Sequence, residues 1–508
     1  MIDPFAAISQ NSGRRDSAAW QTRLLLRLKS RSLFWSVLLL VGMCAMAQVA
    51  LGADLVVLAL VVITCAVGLA GFRLAGAYNA GGWLAFFFVL GNVIVALVAK
   101  TLLLQPVDSR LYAPIESFSI LTAGSVELLI AVDISLIVPV GKSVFHSIRD
   151  PRFLVRLSNS TFLLGTLFWF LNRLFQDPGG SSFGGIAVFW NLVLMAVIAR
   201  TAFLLERTNG GRSIDSGLML ILGGCVAMGL IDNSKTGVVL PIVSYFATSL
   251  FYRRGLTYQQ IAGAAFGLVL VAALLGPMIH AFRALGVQEI PWRQRIDLIE
   301  RGAKDALVVG RLKRYEQLAS GQFSSGYYDY FGQGREQMLV GRYASIQQLD
   351  PVIATTSRHS TLGGSIIWPA FGRLLPSFIY PAKPHDIESY RALVHLGLID
   401  PTGGRYPTVP LLAQSYAAYG VAGVILIPLL TFTAFLLTLK KLGWNLHRNV
   451  FGIFFFCVFI VVYANQGDLG QYAGFALRNF PLLAALLWLL TRICRGPNLF
   501  ARRVVLAP

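Results

Sequence analysis

Charge is scarce in this sequence. Only 13% of the 508 residues are Asp, Glu, Lys or Arg, against roughly a quarter in an ordinary soluble domain. Hydrophobic residues make up 56% of the chain and mean hydropathy is +0.65, which argues against a water-soluble fold. Acids are scarcer still, 24 against 43 Lys and Arg, for a net charge of +19. The basic residues nevertheless fall mostly between apolar runs, forming no stripe and no recognisable reader motif, so no nucleic-acid partner is expected. Cysteine is limited to Cys44, Cys65, Cys225, Cys457 and Cys494, each within or at the end of an apolar run. With no pair in a loop at disulfide or zinc spacing, neither staples nor a structural metal are expected. Strand-like alternation, internal repeats and low-complexity tracts are also lacking, which excludes a membrane barrel and a solenoid. The first apolar run has no small-residue cleavage site, so residues 1–32, with Arg14, Arg15, Arg23, Arg27, Lys29 and Arg31, read as an uncleaved cytoplasmic segment. Trp20 to Leu28 suits an amphipathic interfacial helix.

What the sequence does have is long continuous apolar runs. They lie near 33–51, 54–72, 82–104, 119–141, 160–175, 183–205, 216–231, 236–252, 260–281, 410–438, 449–465 and 480–494. A hydrocarbon core about 30 Å thick needs roughly 20 apolar residues per helix, so the reading is an all-α integral membrane protein of about twelve transmembrane helices. Placing the basic N-terminus inside also puts Lys142, Arg149, Arg152, Arg156, Arg207, Arg212, Arg253, Arg254, Lys440, Lys441, Arg448, Arg495, Arg502 and Arg503 inside. Both termini are then cytoplasmic. The organisation is a cytoplasmic segment 1–32, nine helices over 33–281, a large external loop 282–409, three helices over 410–494 and a cytoplasmic tail 495–508. The loop is too long and too polar for a connector and reads as a small, partly helical domain. Amphipathic patterning runs from Glu289 to Leu318, and Pro381, Pro384, Pro401, Pro407 and Pro410 mark an irregular second half.

That loop carries about fifteen Arg and Lys, an excess that the positive-inside rule does not explain. Guanidinium groups bind phosphate bidentately, so Arg342, Arg358, Arg373, Lys383, Arg391 and Arg405 could hold a lipid diphosphate, or could form a solvated face touching anionic lipid. Interleaved aromatics such as Trp292, Tyr327, Tyr343, Trp368 and Tyr390 could stack on sugar rings or form an interfacial belt. The turn Asp232-Asn233-Ser234-Lys235-Thr236-Gly237 puts a cation beside a helix start. It could bind a diphosphate, or be a capped hairpin with a snorkelling lysine. Glu127 and Asp133 lie inside the fourth run, where carboxylates are costly; Lys100 and Arg173 could answer them or anchor at the headgroups. His359, His385, Asp386 and Glu388 are the general-base candidates, and the group His385, Asp386 and Glu388 lacks a zinc-ligand pattern.

Three motifs, in this order, carry a resemblance. The turn with Lys235 resembles a Ser-Arg-Gly turn between late spans, lysine standing where arginine is common. Gly341 and Arg342, followed by Ile346, Gln347, Gln348 and Leu349, resemble a Gly-Arg motif in the large loop. Pro407 to Gly423, with Gln414, Gly420 and Gly423, resembles the stretch leading from that loop into the next span. Over residues 215–440 the chain thus resembles bacterial O-antigen polymerases of the Wzy type and O-antigen ligases, membrane glycosyltransferases of the GT-C type. Ligases carry a histidine just before the last motif; Thr408 and Val409 occupy that place here, which favours a polymerase.

The resemblance implies polymerisation of polyprenyl-diphosphate-linked oligosaccharide repeat units into an O-antigen or exopolysaccharide. The reaction would take place at the periplasmic face of a bacterial inner membrane, without metal, nucleotide sugar or other cofactor. Lys235 and Arg342 would hold the leaving diphosphate with Arg358 and Arg373, while His359, Asp386 and Glu388 complete the catalytic candidates. Its partners would be the lipid-linked glycan, membrane lipids and, where one exists, a chain-length regulator. A ligase or other lipid-linked glycan transferase, a flippase and an assembly scaffold are the competing readings.

Overall fold

The computed structural model describes residues 30–174, 186–232, 234–253, 259–260, 262–263, 330–331, 344–372, 374, 396, 398 and 409–495. Among them all regular structure is helical, apart from an isolated antiparallel bridge between Asn79 and Asn445. The helices are α1 (Ser30–Ala50), α2 (Leu55–Ala75), α3 (Ala80–Leu102), α4 (Pro114–Ile137), α5 (Pro151–Leu174), α6 (Leu192–Arg207), α7 (Ser216–Ile231) and α8 (Lys235–Arg253). After a long interval come α9 (Ile346–Arg358), α10 (Gly364–Gly372), α11 (Leu411–Leu442), α12 (450–466) and α13 (Leu469–Arg495).

Eight spans are long and apolar enough to cross a membrane: α1 to α5, α6 together with the tight helical turn before it (Val188–Arg207, 20 residues), α11 and α13. Shorter apolar helices at Ser216–Ile231, Thr236–Tyr252 and Val450–Ile460 coincide with three further runs of the sequence. At 16 residues α7 measures about 24 Å, less than a full hydrocarbon core, so length alone does not make it a span. The run expected at 260–281 lies outside the described residues except at 260, 262 and 263. The fifth helix starts earlier than expected, so Arg152 and Arg156 occupy its first turns and not a loop. Its start is set locally: Pro151 suits a first helical position, and Asp150 Oδ1 accepts from the Arg152 amide at 3.0 Å.

Other ends follow the same physics. Asp54 accepts from the amides of Val56 and Val57, Asn79 from that of Gly81, and Asp215 from that of Leu218. Asp468 and Gln471 form a reciprocal capping box at the start of α13. From Val450 to Ile460 helix α12 is buried on all sides, and it packs Phe455 and Phe459 against Phe480 of α13, the latter pair with centroids 4.0 Å apart. A helix that is apolar all round belongs at the centre of a bundle, and this one is. Helices α1 and α11 present Leu39, Met43, Met46, Val421, Ile425 and Leu430 outward, as peripheral helices in lipid would.

The bundle has two chemically distinct ends. At one, the basic face, the Val144 amide and the Ser147 hydroxyl donate to the carbonyls of Lys441 and Arg448, and the segment 144–148 lines a cavity with Arg492 and Arg495. There Lys440 Nζ donates to the carbonyls of Ser135 and Val138 at 2.6 and 2.8 Å, closing the end of α4. The described part of the 282–409 segment lies at the other, the loop face, and does not stand clear of the bundle. Helix α9 packs against α4 and α11, and α10 against α11 and the start of α13. Ser345, just before α9, hydrogen-bonds Asn92 in a π-helical turn of α3, ten residues and about 15 Å from that helix's end. The loop therefore re-enters the bundle, which is allowed where protein covers its backbone polar groups.

Candidate functional site

The loop face is assembled around Asp350. Ile346, Leu349, Asp350 and Ile353 share one face of α9, and all are buried. The Asp350 carboxylate accepts from the Tyr112 amide at 2.7 Å, the Ala113 amide at 2.9 Å and the Ser117 hydroxyl at 2.9 Å. It caps the start of α4 from another part of the chain and holds α9 there. Burial pushes the Asp350 carboxyl above its ordinary range, an effect that these three hydrogen bonds partly offset. Sequence reasoning missed this residue, although an acid on the apolar face of an amphipathic helix was the available signal.

Beyond α9 the chain turns back across a break in α11. Tyr419 and Gly420 leave helical geometry, Gly420 at φ 60 and ψ −140, a region essentially restricted to glycine. The amides of Leu362 and Gly363 donate to the carbonyls of Ala417 and Ala418 at 2.8 Å each, closing the first half-helix from outside. Gly423 permits the close return: a Cβ there would meet the Ser415 carbonyl at 2.1 Å. Gln414 has a structural partner, its Oε1 accepting from the Leu469 amide at 2.9 Å. Gln414 thus serves the joint between α11 and α13, and the two glycines serve the break within α11.

Around the break lie exposed groups of the types expected for glycan and phosphate. Arg358 ends α9 and His359 follows it, both exposed. Trp368 is 74% exposed, Tyr419 lies 49% exposed across Gly364 from it, and a Cβ on Gly364 would touch both rings. The second half-helix, from Val421, begins here, with the positive end of its dipole at the loop face. Cation, flat aromatic surface and helix start therefore converge within a few residues.

The Asp232 to Gly237 turn is partly occupied by structural contacts. Both Asp232 oxygens accept from the Trp169 indole at 3.0 Å, and Oδ1 accepts from Arg173 Nε at 2.9 Å and Nη2 at 2.5 Å. Arg173 thus answers Asp232. Ser234 Oγ accepts from the Gly237 amide at 3.1 Å, capping α8, whose first residue is Lys235. The Lys235 side chain lies outside what is described, as do Arg342, Arg373, Asp386 and Glu388. Lys100 is fully buried; its Nζ donates to Ser109 Oγ at 2.8 Å and Gln105 Oε1 at 3.1 Å and sits 4.2 Å from the Tyr330 ring centroid. Glu127 is buried in α4, and neither carboxylate oxygen has a hydrogen-bond partner among the described residues. Asp133 is exposed, four residues from the end of the same helix.

Compared with known proteins, the chain matches no family model, no curated protein and no solved structure.

Proposed function

We propose that this multi-pass membrane protein is a glycosyltransferase that polymerises polyprenyl-diphosphate-linked oligosaccharides at its loop face. In this reading the bundle has about twelve spans, resembles the GT-C type and sits in a bacterial inner membrane, with the basic face and both termini in the cytoplasm. The observation that carries the proposal is the broken α11. Its discontinuity exposes a helix start beside Arg358 and His359 and beside the open rings of Trp368 and Tyr419. The order of the three sequence motifs supports the same reading, since the last of them contains the break.

The reaction needs little acid catalysis, because the leaving group is already a good one. A hydroxyl of one lipid-linked unit attacks the anomeric carbon of another, and the bond from that carbon to the diphosphate oxygen breaks. The hydroxyl proton passes to a base, for which His359, Asp386 and Glu388 are the candidates. Polyprenyl diphosphate leaves with its added negative charge, which Lys235, Arg342, Arg358 and Arg373 would neutralise. Fixed donors of this kind are worth about 3 to 4 kcal/mol each in the transition state. A ligase would use the same donor with a different acceptor.

A flippase is the second reading, favoured by the same break, since discontinuous helices are common in transporters. The two are separated by incubating the purified protein with a synthetic polyprenyl-diphosphate repeat unit. A glycan ladder with release of polyprenyl diphosphate is expected. Intact substrate that instead crosses vesicle membranes would replace the polymerase by a flippase.

A further inference from the structure

At the basic face, remote from the broken helix, the segment 144–148 and the end of α13 enclose a cavity of about 150 Å³. His146, Thr491, Arg492 and Arg495 supply its polar lining, and among the described residues no carboxylate lines it. Phe145 and Phe451, stacked with centroids 4.6 Å apart, form an apolar wall. The Arg492 guanidinium lies 4.1 Å from the Trp488 ring centroid, which pins its plane. Two guanidinium groups, with no acid beside them among the described lining residues, suit an oxyanion. A volume of about 150 Å³ is well below the roughly 300 to 1,000 Å³ of sites for drug-sized ligands, so a single phosphate group fits better than a nucleotide or an oligosaccharide. Beside the cavity, Leu489 and Ile493 are 49% and 64% exposed on the outward side of α13, offering an apolar track one turn from the arginines.

We infer that this cavity binds the phosphate of an anionic lipid headgroup, with the acyl chains lying along Leu489 and Ile493. Trp488 sits where the headgroup meets the chains, the depth at which indole rings are favoured. The phosphate would accept from the guanidinium groups of Arg492 and Arg495. The lipid would tie the last helix to the segment between α4 and α5. This inference is independent of the activity proposed for the loop face.

The test uses the full chain purified in non-ionic detergent, titrated with phosphatidylglycerol or phosphatidylcholine, with retained lipid counted by native mass spectrometry. Phosphatidylglycerol should be retained preferentially. A surface Lys or Arg adds about 1 kcal/mol to anionic-lipid binding, so the double variant Arg492→Ala/Arg495→Ala should bind about thirtyfold more weakly. Arg207→Ala/Arg212→Ala, which removes two charges elsewhere on the basic face, should bind as the parent does. Trp488→Leu keeps every charge and should weaken binding a few-fold, which gives a reading even if the double variant does not fold. Millimolar inorganic phosphate should leave the lipid in place. Parent-like binding by both the double variant and Trp488→Leu, equal loss with Arg207→Ala/Arg212→Ala, or displacement by inorganic phosphate would each overturn the assignment.

Discussion

Asp350 joins the loop to the bundle with one carboxylate, and its removal leaves two amides and a hydroxyl unpaired in a buried place. Asp350→Ala should therefore cost about 3 kcal/mol, measured as a lower melting temperature, combining a lost cap with unsatisfied donors. The pH dependence has a defined sign. A carboxyl whose folded pKa is raised binds its proton more tightly folded than unfolded. Its contribution to stability is full below the unfolded value, near 3.9, and is lost as pH rises through the raised folded value. The melting temperature of the parent relative to Asp350→Asn should thus rise as pH falls from 7 toward 4; a relative fall would show that the site favours the carboxylate. Arg173 and Asp232 allow a second residue-scale test. Their side chains are 14% and 18% exposed, so Arg173→Ala strands a largely buried acid and should destabilise by about 2 kcal/mol. Asp232→Asn on that background should recover most of the loss, and failure to recover would mean that Arg173 acts mainly through packing.

At the scale of elements, the break in α11 is the feature on which the proposed site rests. Gly420→Ala places a side chain at a glycine-only backbone angle and should cost about 1 to 3 kcal/mol while lowering glycosyl transfer. Gly423→Ala should be harsher, because its Cβ would meet backbone that no side-chain motion can move aside. An active, equally stable Gly420→Ala protein would remove the break from the mechanism. Apolar runs made most helices legible in the sequence, because a membrane span is a matter of length and composition. The break was legible only as a pair of glycines in a motif. Glycine in a helix marks tolerance for a turn without requiring one, and the decisive fact is that Leu362 and Gly363 return to donate to Ala417 and Ala418. The π-helical turn at Leu90–Ile94 was hidden for a similar reason: Asn92 reads as a polar residue in a span until Ser345 arrives to bond it.

For the whole molecule, eight helices long and apolar enough to cross a membrane bear out the multi-pass reading of the apolar runs. The docking of α9 and α10 into the other face was not expected from loop composition. Polarity places a segment outside the hydrocarbon core, but it does not say which of its helices lie down on the bundle. Arg358 and His359 are the candidate site residues whose side chains are described, and their neighbours Ser357 and Leu362 bond Tyr416 and Ala417 of the broken helix. Trp368 and Tyr419 join them there through contacts that no local pattern foretells. The central claim is that a lipid diphosphate and its sugars occupy this place. It is tested most directly by photocrosslinking the purified protein with a polyprenyl-diphosphate glycan that carries a diazirine on its first sugar, then mapping the labelled peptides by mass spectrometry. Labelling is expected within 356–372 and 414–424, reduced at least several-fold in Trp368→Ala. Labelling confined to other segments, or unchanged by that substitution, would contradict it.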